Sequence, residues 1–127
     1  MKTSLLIAAL AVAFQIVFSV SSFGQKDPNF TPPGAEELAA VERANATIDT
    51  VYAQLRNKLG PEERKSLQEA QRAWIKWRDA EADLIARLGG GIGHGSAFRV
   101  DFANAQTKLI KERTEVLKKY LADASNR

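Results

Sequence analysis

The sequence predicts an all-α domain of three antiparallel helices in an up-down-up bundle, joined by a Gly-Pro turn and a Gly-rich loop. Three observations carry that expectation. Apolar residues recur at steps of three and four along three stretches, and glycine interrupts the chain between them. No stretch alternates with the period of two that a strand requires. Helices of about 25 residues with short connections pack against antiparallel neighbours.

Taken in order, residues 1–24 read as a signal peptide. Lys2 supplies the positive start, the run from Leu5 to Val20 is predominantly apolar, and Ser22 and Gly24 provide small residues before a cut at Gln25. An uncleaved anchor is the competing reading, but the run of roughly 16 residues falls short of the ~20 that span a bilayer. The chain contains no cysteine, so a lipid-anchored product is excluded. Residues 25–33, with Pro28, Pro32 and Pro33, form an irregular leader. The helical domain then spans 34–122, and 123–127 are expected to fray.

The first helix places Leu38, Val41, Ile48, Tyr52, Leu55 and Leu59 on one face, with Asn45 filling the gap. Gly60-Pro61 ends it and starts the next, because proline suits the first helical turn, and Glu62 and Glu63 favour that helix start. The second helix carries Leu67, Gln71, Trp74, Arg78, Glu81, Ile85 and Leu88 on its seam. Gly89, Gly90, Gly91, Gly93 and Gly95 then break it. The third helix begins soon after Ser96, an expected N-cap, with Phe102, Gln106, Leu109, Arg113, Val116 and Tyr120 on its seam.

Charge and composition narrow the function. Cleavage would remove Lys2 and lower the formal charge from +3 to +2, and no face forms a continuous basic stripe. Neither nucleic acid nor a membrane surface is implied as partner. The lack of cysteine excludes thiol chemistry and thiolate metal sites, and a single histidine, His94, cannot build a multi-histidine site. No cofactor or metal is expected. Asn29-Phe30-Thr31 and Asn45-Ala46-Thr47 match the glycosylation pattern but carry no meaning in bacterial export. A glycosidase would need two carboxylates flanking a cleft, and the seams offer Glu81 alone, so the protein is read as a non-enzyme.

The second seam is unusual because Gln71, Arg78 and Glu81 occupy positions that a bundle normally keeps apolar. Folding the third helix back through the glycine loop sets Glu81 opposite Gln106 and Trp74 opposite Arg113, where a cation–π contact is expected. Folding the first helix onto the second brings Asn45 towards Trp74, Lys76 and Arg78. Arg78 and Glu81 are also within reach of each other as i,i+3 neighbours. These residues read mainly as a paired layer that sets helix register. A polar ligand groove is the alternative. Trp74 and Trp77 read as core, and Asp79 and Asp83 as a solvated face.

The block from Gln71 to Trp74 followed by Trp77-Arg78-Asp79-Ala80-Glu81 resembles the lysozyme inhibitor LprI-like family. Upstream Ile48-Asp49 with Tyr52, and downstream Arg113-Thr114-Glu115-Val116-Leu117, extend the likeness over about residues 40–120. The resemblance implies cysteines at the positions of Ala82 and Ala105, hence a link between helices two and three that this chain lacks. It further implies an exported protein, periplasmic or secreted, that binds and inhibits lysozyme. The candidate contact is the loop between helices two and three, through His94, Ser96 and Arg99, which otherwise reads as a flexible helix connector. The alternative is a non-inhibitory envelope or stress module binding a protein or a cell-wall fragment.

Overall fold

The computed structural model describes residues 29–89 and 95–127. It contains three α-helices, α1 (Ala35–Lys58), α2 (Pro61–Leu88) and α3 (Ser96–Ser125), and no strand among the described residues. The expected signal peptide, residues 1–24, and residues 25–28 of the expected leader lie outside the described residues.

Local chemistry explains each boundary. Gly34 enters α1 in the left-handed region at φ 88°, a conformation glycine adopts without the Cβ clash. Glu36 and Glu37 in the first turn and Arg56 and Lys58 in the last oppose the helix dipole. Between α1 and α2 the chain turns through an extended Leu59 and Gly60. The Glu63 carboxylate accepts the Gly60 N–H at 3.1 Å, and Arg64 Nε donates to the Arg56 carbonyl at 2.9 Å, satisfying groups that both helix ends leave open. α2 closes with the Gly89 N–H on the Ile85 carbonyl. The residue flanking the start of α3 is Gly95, so Ser96 is already helical and gives no side-chain cap.

Both α1 and α2 pack along α3 and scarcely touch each other. α1 runs parallel to α3. A Cβ on Gly34 would stand 3.6 Å from Val100, and Ala44, Ile48, Val51 and Leu55 form one core with Ile110 and Leu117. α2 runs antiparallel to α3, with Ala82 packed into a second cluster beside Ala105 and Leu109. The up-down-up order is as expected, whereas the neighbour of α1 is α3 rather than α2. Asn45 is therefore not brought into a layer with Trp74 and Arg78.

The buried stripes also turn relative to the expected seams. On α2 the fully covered residues are Ala82 and Ala86, while Ile85 and Leu88 face solvent. Alanines let two helices approach closely, so the larger neighbours swing to the flanks. On α3 the expected stripe keeps Leu109 buried but exposes Val116 and Tyr120. A further stripe of Ala103, Ile110, Thr114 and Leu117 faces α1, and its threonine is satisfied by the Ile110 carbonyl at 2.7 Å. α3 also continues to Ser125, past the expected fraying point. Ala124 packs on the core and Arg127 reaches Glu63 at 2.8 Å.

Two outcomes follow. Cysteines at Ala82 and Ala105 together should form a disulfide under air oxidation, seen by thiol titration, and raise stability by about 2–4 kcal/mol. Persistently free thiols would show that the two side chains do not face each other. Hydrogen bonds from Gly60 and then Arg127 hold the Glu63 pKa below its ordinary value. Protonating Glu63 therefore opposes folding. Its contribution is complete above the unfolded carboxylate range and is lost as the pH falls through the lower folded pKa. Denaturation of wild type and Glu63→Gln should differ at neutral pH, and the difference should shrink as the pH falls below the ordinary carboxylate range.

Candidate partner-contact site

The polar layer is built from the edges of α2 and α3, one helical turn at a time. Arg113 of α3 donates from Nε to Gln71 Oε1 at 3.2 Å and stands 5.9 Å from the Trp74 ring centroid. Arg78, one turn further along α2, lies 5.4 Å from the same ring. Two guanidinium groups thus share one indole, an attraction of about 0.5–2 kcal/mol each depending on desolvation. Arg78 also pairs with Asp79 at 2.7 Å, and Gln106 Nε2 donates to the same Asp79 oxygen at 3.1 Å.

This arrangement bears out Trp74 facing Arg113 and corrects two other pairings. Gln106 meets Asp79 rather than Glu81, because α2 turns its Asp79, Ala82 and Ala86 edge towards α3. For the same reason Arg78 pairs with Asp79. Asp79 is not on a solvated far side; it is the carboxylate that joins the two helices. The adjacency of Arg78 and Asp79 was the one sequence signal that could have pointed to it. Glu81 is half-buried and makes no hydrogen bond or ion pair among the described residues. Trp77 is 51 % exposed and lies outside the layer, contrary to its reading as core.

The loop residues divide differently. His94 lies outside the described residues. Ser96 and Arg99 are exposed on the first turn of α3, where the Arg99 N–H reaches the Gly95 carbonyl at 3.2 Å. Near the same end, Arg87 forms a two-point pair with Asp83 and stands 5.6 Å from the Phe98 ring. That pairing raises the Arg87 pKa, chiefly through the Asp83 hydrogen bonds.

At the opposite end an open cleft of about 490 Å³ lies between the turn that joins α1 to α2 and the C-terminal part of α3. Leu55, Leu59, Ser66, Arg113 and Tyr120 line it, with Arg127 at its rim paired to Glu63. Among the described residues no group of three His, Cys, Asp or Glu side chains could hold a metal ion. No described helix is long and apolar enough to cross a membrane. Asp79, the one carboxylate within the layer, is already engaged by Arg78 and Gln106. The site thus offers recognition by charge, aromatic faces and donors.

The sequence profile of the family described as lysozyme inhibitor LprI matches residues 37–117. The chain belongs to the lysozyme inhibitor LprI family. The match begins in the first turn of α1 and ends at Leu117 in the last third of α3, so the LprI region reaches all three helices and the whole polar layer. Comparison with curated proteins and with solved structures gives no match. Within this LprI-family chain, a double-mutant cycle on Trp74→Leu and Arg113→Met should return a coupling of about 0.5–1 kcal/mol in urea denaturation. Strict additivity would mean that the ring and the guanidinium do not interact.

Proposed function

We propose that this protein is exported through its N-terminal signal peptide, cut before Gln25, and binds a lysozyme to inhibit it. The family match across all three helices carries this reading. The chemistry agrees with it, since the polar layer offers binding groups and no pair of free carboxylates suited to glycoside cleavage. The connection between α2 and α3 is the proposed inhibitory element. Lysozyme cleaves between two carboxylates in a cleft, and His94, Ser96 and Arg99 can present donors and positive charge to such a pair. Ser96 and Arg99 are exposed where the connection enters α3, which supports that placement.

A second reading, a non-inhibitory envelope module that binds a cell-wall fragment, is favoured by the cleft beside Arg113 and Tyr120. A lysis assay separates the two. Near-stoichiometric protein should protect a peptidoglycan suspension from purified lysozyme. Replacing His94, Ser96 and Arg99 together with alanine should abolish that protection while the thermal melt stays unchanged. Absence of protection against several lysozyme types would leave the envelope-module reading, and lysis by the protein alone would instead mean a hydrolase.

A further inference from the structure

Large apolar side chains that a bundle ordinarily buries face solvent along the second half of α2. α2 exposes Trp77, Leu84 and Leu88 at 51, 49 and 77 %, with Ile85 beside them at 38 %. Their spacing of seven and then four residues puts Trp77, Leu84 and Leu88 on one stripe of the helix. Leu38 of α1, 59 % exposed, belongs to the same end. Gly34 lies against Val100 and Gly89 against Asp101, so the start of α1, the end of α2 and the start of α3 come together there. Contiguous apolar surface of more than a few hundred Å² is rare on monomers and marks an interaction site.

Charge divides along the same axis. Residues 34–45, 77–89 and 95–107, which make the loop end, hold seven acidic and four basic side chains, a net of −3. Residues 46–76 and 108–127, which make the turn end, hold seven acidic and twelve basic, a net of +5. The small overall excess of positive charge therefore conceals a domain with one acidic pole and one basic pole. The apolar stripe sits on the acidic pole.

We infer that this pole is the docking surface for a basic lysozyme, with Trp77, Leu84 and Leu88 as the apolar anchor and Glu36 and Glu42 of α1 as the attracting charges. The inference rests on the inhibitor reading and adds its contact surface. Acidic charge on the same pole as an apolar stripe speeds encounter with a basic partner and helps to orient it. Tryptophan is among the residue types that most often carry binding energy. The charge argues against the other occupants of such a stripe. A symmetric pair of copies would set one −3 pole against another, and an anionic lipid surface would repel it.

The test uses the full exported chain and a purified basic lysozyme, with affinity measured calorimetrically and protection measured in the lysis assay. Trp77→Ser with Leu88→Ser should weaken binding at least ~30-fold, about 2 kcal/mol, with helical content and melting temperature retained. Glu36→Gln with Glu42→Gln should weaken it less, by an amount that shrinks in high salt. Lys65→Gln with Lys119→Gln, at the basic pole, should leave it unchanged. If the wild type binds and the apolar variant binds equally well, the docking surface is elsewhere while the inhibitor reading stands. If the wild type neither binds nor protects, the inhibitor reading itself fails. A wild-type dimer that the apolar variant converts to monomer in sedimentation would show that the stripe joins two copies, overturning the inference.

Discussion

The close approach of α2 and α3 through Ala82, Ala86 and Ala105 is the constraint from which the rest of the architecture follows. Ala82 and Ala86 are wholly buried, Ala105 nearly so, and Ala82 packs with Ala105 and Leu109, so small side chains on α2 let the two helices approach. That contact fixes how α2 is rotated about its own axis. It turns Asp79 towards α3 and pushes Trp74, Ile85 and Leu88 to the flanks. α3 meanwhile gives its other face to α1 through Ile110, Thr114 and Leu117, so one helix organises two partners that scarcely meet. Cysteines at the positions of Ala82 and Ala105 would lock the same contact covalently. Here packing holds it, together with the hydrogen bonds of the polar layer.

The polar layer is tolerated because each of its charges is paired or, like Glu81, only half-buried. Removing two charges wholly from water can cost more than their attraction returns. In this layer the Arg78 side chain keeps 14 % exposure and Asp79 keeps 48 %, so solvent shares the load. Each pairing joins groups at matched heights: Gln71 with Arg113, and Asp79 with Gln106. A slip of α2 by one turn against α3 would break both hydrogen bonds together. The layer therefore selects one register among the several that alanine and leucine contacts would permit. The block that first stands out in the sequence is chiefly a device for holding the fold.

Interaction chemistry is left to surfaces the fold does not consume. The layer's arginines are held by Gln71, Asp79 and the Trp74 ring, whereas Trp77, Leu84 and Leu88 have no comparable role in the core. These side chains are exposed because the alanine contact faces elsewhere on the same helix. The separation of acidic and basic poles follows from the same topology. The acidic first turn of α1 and the Asp79, Glu81 and Asp83 stretch of α2 lie towards the same end because α1 is parallel to α3 and α2 antiparallel to it.

Much of this was legible in the chain. Three helices, the Gly60-Pro61 turn, the break after Leu88 and the pairing of Trp74 with Arg113 all follow from periodicity, helix-end chemistry and loop position, which are local properties. The LprI signature was readable because Gln71, Trp74, Arg78 and Glu81 repeat at helical spacing. What periodicity could not decide was rotation. A stripe of large apolar residues and a stripe of alanines lie side by side on α2, and both satisfy the three–four rule. Only the tertiary contact chooses between them, since it depends on how closely α3 can approach each stripe. That choice made Asp79 a bridging residue, left Trp77 in solvent and placed α1 against α3. The sequence by itself determined the helices and their family; the fit of alanine against alanine decided which side chains remain free to meet a partner.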